Sequence, residues 1–287
     1  SLTENLHGLE LDPRCIQIAT FSLALEAWKA GFPTDSYLPV PNLACTGIPI
    51  RAKKEEWLSL AGDDGLLEGV LADYYDLFKN ADTLGSLIRV DSLIRVDKQL
   101  TLVDQKTLEK KFEQALRREK DAGDPVAETF GETGLGVLKA AGLLSGRYDY
   151  VMTNVPYLAS GKQGEVLKSF IEENHPLAKN DLATAFLERC LAFCRPGGKV
   201  SIVLPQNWLF LASYKRFREH LLKRERWDLL VRLGPGAFET ISGHVVNAIL
   251  LNITHAKPPA GHLLCGLDVS EERDAAAKAR ALLDAEM

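Results

Sequence analysis

The chain has 287 residues, of which 46% are hydrophobic and 25% are charged. These values are typical of globular proteins, so the composition excludes disordered, collagen-like and coiled-coil chains. The formal net charge of −5 gives no overall attraction for the phosphates of nucleic acid. The five scattered cysteines form no Cys-x-x-Cys pair, which favours reduced thiols over disulfides or a zinc site. No membrane-spanning stretch or secretory leader is evident, so we expect a cytoplasmic protein without a membrane partner.

The first half of the chain begins with short α/β elements and continues with a long helical segment. An apolar strand ending at Glu10 is followed by a predicted helix over 14–30, whose apolar residues recur every three or four positions. A short strand is predicted at 42–46. From residue 53 to about 141 the sequence is charged and favours helices, so we predict a helical insertion.

Six residues of this insertion, Ser-Leu-Ile-Arg-Val-Asp, occur twice in succession at 86–91 and 92–97. Two such short copies cannot form a solenoid. We expect a local duplication in a surface connection. Further along, Gly134 and Gly136 follow no strand, and we predict a loop there.

The second half alternates strands and helices. A strand at 148–153 ends at Asn154, and a buried-type strand at 199–204 ends at Pro205. This alternation predicts an α/β protein with a mostly parallel sheet. The remaining predicted elements are helices over 182–193 and 214–224, strands over 227–233 and 245–253, a short later strand and a helix from Glu271.

Ligands of open parallel sheets bind at the carboxyl ends of the strands, and two strand ends here carry suitable groups. Glu10 and Asp12 follow the first strand, where an acidic residue can hold the hydroxyls of a ribose. The alternative is that they only end the strand and cap the helix that Pro13 begins.

The second strand end carries Asn154, Val155, Pro156 and Tyr157. The Asn154 side-chain oxygen and the Pro156 carbonyl could each accept one N–H of an amine on a heteroaromatic ring. This frees the nitrogen lone pair, while Tyr157 stacks on the ring. An ordinary Asn-x-Pro turn is the alternative for these four residues alone.

Several segments resemble motifs of the adenine-N6 DNA methyltransferases. Residues 148–157, Tyr-Asp-Tyr-Val-Met-Thr-Asn-Val-Pro-Tyr, resemble the catalytic fourth motif, commonly Asn-Pro-Pro-Tyr. Residues 8–13, 181–186 and 196–208 resemble the second, fifth and sixth motifs, in the family's order. The likeness runs from about residue 8 to residue 253. It is greatest to large methylases of fused type II restriction–modification systems and of BREX-type phage defence.

The resemblance implies a Rossmann-like, S-adenosylmethionine-dependent methyltransferase fold, with a mostly parallel sheet and a large helical insertion. It implies methyl transfer from S-adenosylmethionine to the N6 amine of a flipped adenine in double-stranded DNA, with other defence-system subunits as further partners. No metal is expected. The implied site residues are Glu10 and Asp12 for the cofactor, Asn154, Pro156 and Tyr157 for catalysis, and Phe238 for the opposite face of the base.

The chain departs from the family pattern in three ways. Val155 replaces the usual proline, but Pro156 still favours extended backbone at that position, so we expect no loss of activity. Residues 42–47 show no carboxylate where the third motif is expected. The glycine-rich first motif would lie upstream of Glu10, so we expect a fragment without the first strand. We predict that the methyltransferase domain begins at 1–52, is interrupted by the helical insertion at 53–146 and continues with its catalytic half at 147–255. A C-terminal extension is predicted at 256–287.

Two alternatives remain open. Methyltransferases of ribosomal RNA or of glutamine side chains use the same arrangement of an asparagine, a proline and an aromatic residue after a strand. Those enzymes, however, are compact. Glu10 and Asn154 are 144 residues apart, whereas two strand–helix crossings need roughly 60. The second alternative is an inactive methyltransferase-fold remnant that acts as a DNA-binding or scaffolding part of a defence system. The only local cationic run, around 215–226, is expected to be a solvated helix face.

Overall fold

The computed structural model describes residues 3–33, 36–90, 110, 113, 125–238 and 247–285. The chain forms two compact units, divided between Gly146 and Arg147. Within the described ranges, no helix is long and apolar enough to cross a membrane.

The first unit contains a two-stranded parallel sheet. Strand β1 (His7–Glu10) pairs with β2 (Asn42–Cys45), and helix α1 (Pro13–Lys29) connects them. A parallel pair requires such a crossover. The Asp12 side chain accepts the backbone N–H of Arg14 at 2.9 Å and so caps α1. The predicted strands and the predicted helix are confirmed in this segment.

The apolar residues of α1 lie on one side of the helix, as predicted, but they are exposed. The exposed fractions are 65% for Ile18 and Phe21, 38% for Leu25 and 39% for Trp28. No residue of α1 is buried among the described residues of the chain. The spacing of apolar residues therefore predicted the helix, but these four residues do not pack into the core of the first unit.

The described part of the insertion is helical and carries the core of the first unit. Trp57 is fully buried and donates from Nε1 to the carbonyl oxygen of Leu71 at 2.8 Å. The predicted loop at Gly134 and Gly136 is wrong, because both residues lie within a helix whose neighbours favour helix strongly enough to offset two glycines. The helices are α2 (Lys54–Leu58), α3 (Gly65–Phe78), α4 (Ala81–Leu84) and α5 (Pro125–Ser145).

The first copy of the hexapeptide repeat belongs to this core. Leu87, Ile88 and Val90 are buried. The second copy, at 92–97, lies outside the described residues. That one copy runs over the surface therefore stays a prediction.

The second unit contains a five-stranded sheet in the order β3-β4-β6-β5-β7. Strand β6 runs antiparallel to both of its neighbours, and the other four strands share one direction. The predicted mostly parallel sheet is confirmed. The strands are β3 (Tyr148–Asn154), β4 (Cys194–Pro205), β5 (Arg226–Gly234), β6 (Ala248–Thr254) and β7 (Cys265–Asp268).

An aromatic cluster forms the centre of the core in this unit. The Trp208 ring is fully buried, with its centroid 5.5 Å from that of Phe217 and 5.7 Å from that of Trp227. In the parallel pair β3–β4, Asn154 lies opposite Val203, so the carboxyl ends of both strands meet at one edge. The helices of the unit are α6 (Glu165–Asn174), α7 (Leu182–Phe193), α8 (Lys215–Arg224) and α9 (Ala275–Leu283).

The C-terminal segment contributes to the same sheet. Strand β7 pairs with β5 in parallel. In the segment that follows β7, the buried ammonium group of Lys278 on α9 donates to three carbonyl oxygens. These belong to Val269, Ser270 and Glu272, at 3.0, 3.3 and 2.7 Å. These hydrogen bonds satisfy a buried cation and hold α9 against the turn after β7.

Candidate active site

The turn after β3 presents a free amide. Asn154 is the last residue of the strand, and its side chain is exposed. Among the described residues, no group hydrogen-bonds to that side chain. An asparagine amide carries one acceptor oxygen and two donor hydrogens. The oxygen of Asn154 is therefore available to accept an N–H from a ligand.

Val155 and Pro156 fix the direction of this turn in different ways. Val155 is 5% exposed and belongs to the core cluster of the second unit, whereas Pro156 is exposed. Burial of an aliphatic side chain anchors the backbone, and the following proline restricts Val155 to extended geometry. The residue that departs from the family pattern thus packs well in this turn.

Tyr157 has a half-buried ring and an isolated hydroxyl. The ring packs against the core cluster, and the buried hydroxyl makes no hydrogen bond to a described residue. Burial, and then the nearby Asp181 carboxylate, raise the pKa of Tyr157 to about 12. The hydroxyl stays neutral at physiological pH, and because its oxygen is buried, the ring is the part of Tyr157 that lines the cleft.

Asp181 braces the backbone that follows Tyr157. Its Oδ1 accepts the N–H of Leu158 at 3.3 Å and the N–H of Ala183 at 2.9 Å. In return, the carbonyl oxygen of Leu158 accepts the N–H of Leu182 at 3.0 Å. One carboxylate therefore caps α7 and holds the turn in place.

A cleft of about 510 Å³ opens beside Tyr157, within the size range of small-ligand sites. It combines two aromatic rings, three amide side chains, one lysine and the bracing carboxylate. Neither Asn154 nor Pro156 lines it, although Pro156 adjoins Tyr157 in the chain. The lining residues are Tyr157, Ala159, Lys162, Asp181, Pro205, Gln206, Asn207, Phe210, Leu211 and Asn247.

The two acidic residues predicted to bind the cofactor lie in the first unit. Glu10 ends β1, and its exposed carboxylate accepts the backbone N–H of Leu11 at 2.8 Å through Oε1. Asp12 caps α1, and its hydrogen bonds from Arg14 lower the pKa of the carboxyl group to about 2. Asp12 therefore caps α1, which was the alternative to a role in binding the ribose. The ribose role stays a prediction for both residues.

The structure brings Asn154, Pro156 and Tyr157 together on one turn. Phe238 packs against a small apolar cluster of the same sheet and does not line the cleft, so its role at the base stays a prediction. The sequence analysis did not single out Phe210 and Asp181, which the structure places in the lining of the cleft. Asp181 stood within the fifth-motif resemblance, whereas nothing in the sequence distinguished Phe210.

Comparison with known proteins identifies the family. The family model for the Eco57I restriction-modification methylase matches residues 4–238. The adenine-specific methyltransferase PglX of Lacticaseibacillus casei (strain Zhang) is 28% identical over 250 residues, which are 84% of this chain and 19% of that protein. The adenine-specific methyltransferase BrxX of Escherichia coli O9:H4 (strain HS) is 26% identical over 270 residues, 85% of this chain and 21% of that protein.

The chain thus spans about a fifth of the length of the curated relatives that it matches. Among solved structures, a nuclease-deletion mutant of the Type ISP restriction-modification enzyme LlaGI, in complex with a DNA substrate mimic, is 14% identical. The match has a TM-score of 0.46 and covers 99% of this chain and 26% of that chain. On the strength of the family model, the chain belongs to the Eco57I restriction-modification methylase family.

Proposed function

We propose that the protein containing this chain methylates the N6 amine of adenine in double-stranded DNA, as part of restriction–modification or phage defence. Family membership and the names of the relatives PglX and BrxX support a methyltransferase of this specificity. The observation that carries the proposal is the exposed Asn154 amide, which has no partner among the described residues and lies three positions before Tyr157 in the chain.

The turn suits activation of a weakly nucleophilic amine. The lone pair of an amine on a heteroaromatic ring is delocalised into that ring. The Asn154 side-chain oxygen would accept one N–H of the amine, and the Pro156 carbonyl oxygen would accept the other. These two hydrogen bonds favour a tetrahedral nitrogen, whose lone pair is then free to attack. Acceptors aimed at developing charge are typically worth several kcal/mol in such sites.

Tyr157 would hold the base. The turn after β3 cannot reach the N6 amine of an adenine that is stacked inside a duplex. The nucleotide must therefore leave the stack and enter a pocket. The half-buried ring of Tyr157 offers an apolar face, and the amides of Gln206, Asn207 and Asn247 line the same cleft. Lys162, also exposed there, suits a backbone phosphate.

The first unit carries a group that fits the cofactor. S-Adenosylmethionine supplies an electrophilic methyl group when it is bound. The exposed carboxylate of Glu10, at the carboxyl end of a parallel strand, is chemically suited to accept hydrogen bonds from the ribose hydroxyls of that cofactor. Asp12 is already engaged by Arg14, so we assign the main ribose contact to Glu10.

The test is methylation by the full-length protein in a bacterial host without adenine methylation of its own. Sequencing that detects N6-methyladenine in the host genome should reveal methylation at one recurrent sequence. Asn154→Ala should abolish it, while calorimetry shows unchanged affinity for S-adenosylmethionine.

Asn174→Ala is the matched control. Asn174 lies at the end of α6 in the same unit, and its amide donates to the carbonyl oxygen of Phe170 at 3.0 Å. This variant should methylate like the wild type. The proposal would be contradicted if the host that expresses the wild-type protein contained no N6-methyladenine. Full methylation by Asn154→Ala would also contradict it.

A further inference from the structure

A rigid turn holds Phe210 out toward solvent beside the cleft. The side chain of Phe210 is 69% exposed, whereas Trp208, two residues earlier, is fully buried in the aromatic core. A large apolar side chain loses the stabilisation of burial when it stays in water. Phe210 also lines the same cleft as Tyr157. The ring of Phe210 is therefore both exposed and placed in the cleft, where a ligand could bury it.

The backbone that carries Phe210 is tightly held. The N–H groups of Phe210 and Leu211 both donate to the carbonyl oxygen of Asn207 at 3.1 Å. From α8, the guanidinium Nη1 of Arg218 donates to the carbonyl oxygens of Trp208 and Leu211 at 2.6 and 2.8 Å. The predicted solvated face of α8 thus contains one arginine that fixes this turn. A ring on such a support is preorganised, so little entropy is lost when it binds.

The surrounding groups indicate what this ring would bind. Three amide side chains, from Gln206, Asn207 and Asn247, line the cleft together with the two rings. Amides can donate to and accept from the edge of a heterocycle, while rings stack on its faces. This combination matches a purine base better than an aliphatic or purely anionic ligand.

We propose that Phe210 supplies a second aromatic surface for the displaced adenine, in addition to Tyr157. This inference rests on the proposed function and deepens it. It differs from the sequence-based expectation for Phe238, whose ring packs on another cluster. Phe210 would thus stabilise the extrahelical base and favour purines, and Asn154 would remain the group that contacts the amine.

The test compares Phe210→Ala, Phe210→Leu and Phe210→Tyr in the full-length protein. The probe is a duplex with 2-aminopurine in place of the target adenine at the mapped site. Base–aromatic stacking is worth roughly 5- to 150-fold in binding. With DNA that carries the target adenine, the Ala and Leu variants should raise the KM by such a factor. With the 2-aminopurine duplex, they should increase the emission of the bound probe, because a quenching ring is lost. The Tyr variant should restore both values, and S-adenosylmethionine affinity should be unchanged in all three.

Leu211→Ala is the matched control. Leu211 is the neighbouring exposed residue of the same cleft, 49% exposed, but it has no ring. Its variant should increase 2-aminopurine emission far less than Phe210→Leu, which retains apolar bulk at position 210. Wild-type values for Phe210→Ala and Phe210→Leu, with a loss in Phe238→Ala, would overturn the inference and leave the proposed function standing. A wild-type protein that neither methylates adenine nor unstacks 2-aminopurine would overturn both.

Discussion

The carboxylate of Asp181 accepts the backbone N–H of Leu158 at 3.3 Å, which ties the residue after Tyr157 to the start of helix α7. The same oxygen accepts the N–H of Ala183 at 2.9 Å and so caps that helix. The placement of the Tyr157 ring and the integrity of α7 therefore depend on one side chain.

Asp181→Ala should lower both stability and base capture. Loss of an N-cap costs about 1 kcal/mol, and loss of the acceptor for the part-buried N–H of Leu158 costs about 1 kcal/mol more. Each kcal/mol lowers the Tm by about 2–4 °C in a protein of this size class. Thermal unfolding and the KM for DNA measure the two effects. Asp181→Asn should recover most of both, because its side-chain oxygen still accepts.

Comparison with Asp274→Ala separates the effect of Asp181 on stability from its effect on base capture. Asp274 caps α9 by accepting the N–H of Ala277 at 2.9 Å, away from the cleft. This variant should lose comparable cap stability and keep the wild-type KM for DNA. An equal rise in KM for Asp181→Ala and Asp274→Ala would show that Asp181 acts only through global stability.

Tyr157→Phe should methylate DNA nearly as well as the wild type, whereas Tyr157→Ala should lose most activity. The hydroxyl of Tyr157 is buried without a partner among the described residues, so its removal costs no hydrogen bond. Loss of the ring removes stacking worth about 1–3 kcal/mol. Transfer of tritiated methyl groups and 2-aminopurine emission report these changes. Equal losses in the two variants would assign a role to the hydroxyl instead.

The same hydroxyl predicts a pH effect on stability. The pKa of Tyr157 is about 12 in the folded protein and about 10 when unfolded. Because the folded value is raised, this stabilisation is complete below about pH 10 and is lost as the pH rises toward 12. The free energy of unfolding of the wild type should therefore fall relative to that of Tyr157→Phe as the pH rises from about 10 toward 12, measured by urea unfolding.

Tyr214→Phe provides a comparison, because burial raises the pKa of Tyr214 to about 12 as well. It should show the same trend with pH. Parallel pH profiles for the wild type and both variants would rule out this linkage.

Gly47→Ala should destabilise the first unit. A Cβ at Gly47 would lie 2.0 Å from the carbonyl oxygen of Leu11, which is backbone and cannot move aside like a side chain. Such overpacking costs about 1–3 kcal/mol or more. In contrast, Gly69→Ala on α3 meets open space and should be neutral or stabilising by up to about 1 kcal/mol. Thermal unfolding of both variants measures the difference, and similar Tm values would refute the close approach.

Local patterns were enough to predict the α/β class and most elements of the second unit. The strand that ends at Asn154 and the strand that ends at Pro205 follow from apolar runs and the turn residues after them, which act over a few positions. The order of the motifs along the chain also indicates the family. The loop predicted at Gly134 and Gly136 failed, because helix-favouring neighbours outweighed the glycines.

Only the tertiary structure decided which side chains form the cleft. Strand β6 lies between β4 and β5 because hydrogen-bond partners in a sheet are chosen by packing between distant segments, which no local pattern encodes. Phe210 is exposed because Arg218, from another element, holds its turn while Trp208 is buried beneath it. The sequence by itself therefore determined the family and the strand end that carries Asn154, and long-range contacts determined what surrounds that turn.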